Sequence, residues 1–241
     1  MKNKKEFSID LQIHSALSPC ADSTMTPNNI INMCILKGID IISITDHNTA
    51  DNLLAIENVA VENGIMLLPG IEVQTREEVH VLCYFKTASQ AVELGNIIYN
   101  KLPSIKNSEE IFGKQLIIDK FDNITGTLDK LLLSSADVSI KQLLNMVNSM
   151  DGVCVPAHID RRSYSIISNL GFIPQNLNLK TIEISRMSTI ASILLKYPYL
   201  KDLRVIRSSD AHYLWDINEK QEFVLIENLT LTNILNYLRG V

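Results

Sequence analysis

Short apolar runs, each followed by a polar turn and a helical stretch, recur along the whole chain. No other feature constrains the fold as strongly. Phe7, Ile9, Leu11 and Ile13 alternate with Ser8, Asp10, Gln12 and His14, the pattern of a strand with one polar face. Thr26 and Pro27 read as a helix cap and first helical residue, and Gly38 closes that helix. Residues 39–45 form a second strand, and about 50–63 a helix ended by Gly64. A third strand lies within 65–73, interrupted at Pro69-Gly70, and a fourth spans 79–85. Residues 86–150 read as mostly helical, with loops near Lys106-Asn107 and Asp122-Asn123. The clearest helix there is 138–150, stopped by Asp151-Gly152. Further strands are expected at 153–157, 181–184, 203–207 and 223–226. No repeat, low-complexity tract or linker interrupts the series. Strands alternating with helices predict an α/β chain with a mostly parallel sheet under helices. Seven or eight such units make a closed or nearly closed barrel, and 241 residues suit a single barrel domain. The stretch at about 86–150 is then an insertion that covers substrate.

The hydrophobic fraction of 46% and charged fraction of 20% allow a sizeable core. A net charge of −5 argues against a protein that coats nucleic acid. Lys2, Lys4 and Lys5 are too short a run for such a surface and read as a solvated N-terminus. Cys20, Cys34, Cys83 and Cys154 are scattered without a CxxC pair, as in a reduced intracellular chain. The first ten residues lack the apolar region of a signal peptide, and no apolar run is long enough to span a bilayer. A cytoplasmic protein without membrane partners is expected.

The ionisable residues fall at particular places on this map. His14 ends the first strand, His47 follows the second, Glu72 ends the third, His80 opens the fourth and His158 ends the fifth. Asp210 and His212 follow the strand 203–207. In α/β barrels the C-terminal strand ends share one face, where the site sits. A single histidine beside an apolar strand is more often a hydrogen-bonded structural residue than a ligand. Here every histidine but His80, which opens its strand, takes such a C-terminal strand-end position, and none is left for the helices. Five imidazoles in one cleft would repel one another if protonated; metal binding keeps them neutral, and Glu72 and Asp210 balance the charge.

The stretches Asp10-Leu-Gln-Ile-His14-Ser, Thr45-Asp46-His47-Asn, Gly70-Ile-Glu72, Glu78-Val-His80, Pro156-Ala-His158 and Ser209-Asp210-Ala-His212 occur in this order. As an ordered set they resemble the PHP family, named for polymerase and histidinol phosphatase domains, over essentially the whole chain. The segment from His14 to Asp22 is similar to a PHP subgroup of metal-dependent phosphoesterases. The resemblance implies a distorted (β/α)7 barrel of TIM-like kind holding two to three divalent ions, zinc, manganese or iron. Glu72 would bridge two ions; His14 and Asp210 would complete one shell and His80 and His158 the second. His47 and His212 would hold a third ion with an acidic residue of the first loop, for which Asp22 is the candidate and Cys20 the alternative. Asp46 would orient its surroundings. Glu72, Asp210 and His212 are the expected catalytic residues.

One position departs from the family pattern. The first motif normally reads His-x-His, and its first histidine is Gln12 here. An amide is a poorer ligand than imidazole for these ions, so the ion at His14, Glu72 and Asp210 should bind weakly. Two or three ions suit phosphoester hydrolysis, and arginine is the natural phosphate clamp. Arg161 is best placed, followed by Arg186 and Arg207, for which a surface salt bridge is an equal expectation. Asp160 could orient His158 or Arg161, or serve only its turn. The expected partner is a small phosphorylated molecule such as a nucleotide or short oligonucleotide end. The alternative is a metal-binding or regulatory module weakened by Gln12. An amidohydrolase would carry a metal-bridging lysine, and no lysine stands at a strand end.

Overall fold

The structure is a computed structural model that describes residues 4–241; Lys2 of the basic run lies outside the described residues. The strands are β1 (Lys5–Ile13), β2 (Ile41–Ile44), β3 (Met66–Leu67), β4 (Gly70–Gln74), β5 (His80–Tyr84), β6 (Leu116–Ile118), β7 (Ile124–Thr127), β8 (Val153–Pro156), β9 (Thr181–Ser185), β10 (Arg204–Ser208) and β11 (Phe223–Ile226). Between them lie the helices α1 (Pro27–Lys37), α2 (Leu53–Glu62), α3 (Ala88–Lys101), α4 (Glu109–Phe112), α5 (Ile140–Ser149), α6 (Ile166–Leu170), α7 (Ile190–Lys196) and α8 (Leu231–Leu238). Local signals set many of these limits. Thr26 stands at the cap of α1, Pro27 opens it, and Gly38 ends it at φ 69°, which a side chain would resist. Thr87 with Gln90 and Ser139 with Gln142 form capping boxes that start α3 and α5.

Hydrogen-bonded strands run in the orders β11-β1-β2-β3, β4-β5-β8, β9-β10 and β6-β7. β1 lies beside β10, β8 beside β9 and β2 beside β4. Isolated bridges at Ile13–Ala211 and His47–Glu72 extend this contact, although the ladders do not join into one closed ring among the described residues. Side chains of β1, β5, β8 and β10, including Leu11, Leu82, Val155 and Ile206, meet Ile234 and Leu238 of α8 in an apolar cluster. A larger cluster joins the other strand faces to α1, α2, α3 and α5.

The expectation of a mostly parallel sheet needs correction. β1, β2 and β3 pair in parallel, as do β9 and β10, but β5 runs antiparallel to both neighbours. Only the turn 75–79 joins β4 to β5, with Thr75 O accepting from Glu78 N at 2.9 Å. A parallel crossover needs about a dozen residues, so the chain must reverse. The reversal puts the first residue of β5, His80, opposite Gln74 at the end of β4. The segment 86–150 is also less helical than its sequence pattern implied: the β6–β7 hairpin and a long irregular stretch separate α4 from α5. Those strands are three and four residues long, too short to show a period. Among the described residues no helix is long and apolar enough to cross a membrane.

Candidate metal centre

Glu72, fully buried on β4, is the point on which the histidines converge. Its Oε2 lies 3.4 Å from His14 Nε2 and 3.0 Å from His47 Nδ1. Its Oε1 lies 3.1 Å from His80 Nδ1 and 3.4 Å from His158 Nε2. Asp210 approaches His14 Nε2 at 3.2 Å, and the His212 ring stacks on His14 with centroids 4.2 Å apart. All five histidines therefore occupy one site. Gln12 joins them, donating from Nε2 to Glu72 Oε1 at 2.8 Å, while its side-chain Oε1 is buried without a partner.

Neighbouring residues fix these side chains. Ser18 donates to Asp46 Oδ1 at 2.7 Å and accepts from His14 Nδ1 at 2.9 Å. Nδ1 of His14 thereby donates to Ser18, and Nε2 is the nitrogen turned to Glu72 and Asp210, where an ion would bind. Asp46 also accepts from Ser15 N and Oγ, which matches the orienting role expected of it. His80 Nε2 donates to Gln74 Oε1 at 3.3 Å. Glu183 accepts from the His158 backbone N–H at 3.1 Å. Positive φ values at His158 (28°), Tyr164 (56°) and Asp210 (53°) place backbone strain at the site, a common property of functional centres.

Burial opposes charge on Glu72, but His80, His47 and hydrogen bonds from His14 and His158 hold it well below the ordinary range. Asp210 is likewise held low against its burial by the hydrogen bond and charge of His14. Burial and the neighbouring His47 push His14 down, yet hydrogen bonds to Asp210 and Glu72 outweigh them and raise it to about 9. Burial pushes His80 down to about 4 despite Glu72. Protons thus occupy part of the metal-free centre. Because the folded value of His14 lies above its ordinary 6.5, the proton stabilises the metal-free fold below that value and is lost as pH rises through about 9. An ion at Nε2 must displace this proton. Metal affinity is expected to rise about tenfold per pH unit from 6.5 towards 9, one proton leaving per ion bound there. Competition titrations against a chromophoric chelator would show this slope, and a flat profile would mean that His14 is not a ligand.

The structure separates the other expected site residues. Asp22 is not in the cluster: its carboxylate accepts from Thr24 N and Oγ1 on an exposed turn. Cys20 is exposed, but its thiol meets the rings of His47 and His212, which lower it to about 5 against partial desolvation. Arg161 pairs with Asp210 Oδ2 at 2.6 Å. Arg186 lines the adjoining cavity but is bonded to Asp216. Arg207 is committed to Glu222 outside that cavity. Asp160 holds neither His158 nor Arg161; it accepts from Ser185 N and Oγ, tying the loop after β8 to β9. Sequence reading missed Ser18, Gln74 and Glu183. Gln74 follows Glu72 by two residues on one strand, and Glu183 is a lone acid among isoleucines, so alternation could have flagged both.

Buried His14 Nε2, His47 Nδ1, His80 Nδ1 and Glu72 Oε2 lack well-formed hydrogen bonds although they face one another. Three ligand sets have donor atoms within 4.8 Å: His14, His47 and His212; His47, Glu72 and His80; and His14, Glu72 and Asp210. Buried, unsatisfied nitrogen and carboxylate donors in such sets fit divalent ions.

Fold and site together define an α/β protein with a histidine–carboxylate centre suited to metal. Residues 10–162 match the PHP domain, and the chain belongs to the PHP domain family. Two curated relatives are matched over 44% and 24% of their own lengths, so the chain spans less than half of either. One of them, a 5′-3′ exoribonuclease from Haemophilus influenzae, is 30% identical over 69 residues, 29% of this chain. The fold is similar to that of the lesion-specific endonuclease Q from Pyrococcus furiosus, with TM-score 0.68 and 17% identity over 98% of this chain and 56% of that one. It is also similar to that of a candidate metal-dependent phosphoesterase from Bifidobacterium adolescentis, with TM-score 0.61 and 18% identity over 98% of this chain and 97% of the other.

Proposed function

We propose that the chain is a metal-dependent phosphoesterase acting on a small phosphorylated substrate such as a nucleotide or an oligonucleotide end. The convergence of four imidazoles on the two oxygens of Glu72 carries this reading. Two or three bound ions, zinc, manganese or iron, would polarise a phosphoester and lower the pKa of water in the site. Glu72 would be shared between ions, with His14 and Asp210 on one side and His80 and His158 on the other. His47 and His212 would hold a further ion with Cys20, whose position against both rings favours it over Asp22. Arg161 would clamp phosphate once an ion takes its place at Asp210, with Arg186 beside it.

The seven strands β1, β2, β4, β5, β8, β9 and β10 support a distorted barrel as the scaffold. Parts of the segment 86–150 support a role in shaping the mouth. Leu116 N bonds to Ala16 O beneath the Cys20 loop, and Asn48 Nδ2 donates to Leu132 O and Ser134 O. Four unbridged cysteines fit a reducing compartment such as the cytoplasm.

The contact of Gln12 with Glu72 favours a second reading, a metal-binding module with weakened catalysis. Hydrolysis of a generic aryl phosphate separates the two. Turnover that depends on added Mn²⁺ and is abolished by chelation is expected. A metal-loaded protein that hydrolyses no phosphoester would support the regulatory module instead.

A further inference from the structure

A cavity of about 580 Å³ opens beside Asp210 and His212, within the roughly 300–1,000 Å³ typical of small-ligand sites. Arg161, Arg162, Arg186 and Tyr213 line it. Arg162 has no hydrogen-bond or ion-pair partner among the described residues, so its guanidinium is open to an anion. Asp160, Asp210 and Asp216 line it too, and Arg161 and Arg186 pair with Asp210 and Asp216, which leaves Arg162 as the unpaired cation of the cavity among the described residues. At the cavity edge the Tyr213 and Trp215 rings stack with centroids 5.0 Å apart and planes 16° from parallel. Trp215 is nevertheless 70% exposed, an uncommon state for so large an apolar side chain. The pair is held from two sides. Lys37 of α1 donates to Trp215 O at 3.0 Å, and Arg186 donates to Asp216 O and Oδ1 at 3.1 and 2.7 Å. The platform is therefore fixed before any ligand arrives.

A flat aromatic surface beside the unpaired Arg162, with the histidine–carboxylate centre next to both, matches a ligand that joins a planar ring to a phosphate. We infer that Tyr213 and Trp215 form a base-stacking platform that selects nucleoside phosphates over base-free phosphoesters, with Arg162 receiving the phosphate beside Arg161. This rests on the phosphoesterase reading for its chemistry, but binding on the platform can be read without turnover. Stacking on aromatic side chains tolerates any base, so selection is for the presence of a base rather than its identity.

Trp215 is the chain's single tryptophan and reports on its own surface. Titrating the full chain with adenosine 5′-monophosphate, or with a 5′-phosphorylated dinucleotide, is expected to quench its fluorescence saturably. Ribose 5-phosphate, which lacks only the base, should leave it unchanged. Tighter quenching by the dinucleotide than by the mononucleotide would identify an oligonucleotide end as the source of the base, and the reverse a free nucleotide. In phosphate-release assays KM for the mononucleotide should lie about tenfold below that for ribose 5-phosphate, a ratio that Trp215→Ala brings towards one and Trp215→Phe restores. Quenching without turnover of any ester would retain the platform and reject the phosphoesterase. Turnover of both esters with equal KM and no quenching by either nucleotide would reject the platform alone.

Discussion

Glu72→Ala is expected to weaken metal binding by about 100-fold or more and to remove phosphoesterase activity with it. Loss of a residue that merely orients a ligand already costs about 10–100-fold, and Glu72 faces His14, His47, His80 and His158 directly. The same change should destabilise the metal-free fold in a pH-dependent way. Glu72 is one of the two carboxylates that hold the His14 proton up to about 9. Without it a buried imidazolium loses a partner, which costs about 3–5 kcal/mol unless the proton leaves. That penalty should be full below about pH 6.5, where the unfolded chain also holds the proton, and fade towards about pH 9, where the wild type releases it. Denaturation of dialysed proteins near pH 6 and near pH 9 would show the difference. His158→Ala, which removes one contact, should lose less metal. Equal metal content in Glu72→Ala and the parent would make Glu72 a structural acid only.

Gln12→His is expected to act in the opposite direction. The Gln12 amide already reaches Glu72 Oε1 at 2.8 Å, so position 12 faces the ion cradle shared by His14, Glu72 and Asp210. An imidazole there supplies a nitrogen donor where the amide supplies a weak oxygen. Occupancy of that set and hydrolysis should both rise, by about tenfold or more. Position 12 is fully buried, so overcrowding is the competing outcome. Mn²⁺ titrations of both proteins in parallel would decide it: a variant that binds no more metal and works no faster places Gln12 outside the functional centre.

The centre was legible in the sequence because its ligands sit at strand ends, where a period-two pattern meets a turn. His14, His47, Glu72, His158, Asp210 and His212 could be assigned to one face on that ground alone. His80 fitted less well, opening its strand; the reversal of β5 explains it, and that reversal depends on the short turn 75–79. Asp22 misled because a carboxylate is the commoner hard ligand, whereas the turn to Thr24 satisfies it locally and leaves Cys20 beside the rings. Arg161 was placed first from sequence and does reach Asp210, but the pairings of all three arginines could not be read there. Their partners Asp210, Asp216 and Glu222 are set by tertiary packing across distant segments. The β6–β7 hairpin escaped notice because its strands are short and β7 is largely exposed, leaving no alternation to read.

Elemental analysis of the full chain, purified with Mn²⁺ or Zn²⁺ and then dialysed, addresses the shared centre most directly. Four of the five histidines, Glu72 and Asp210 are gathered into three overlapping ligand sets, with His158 facing Glu72 beside them, and should retain at least two ions per chain. A content well below one ion per chain would contradict a metal centre and leave the buried imidazoles and carboxylates as a proton-linked structural cluster.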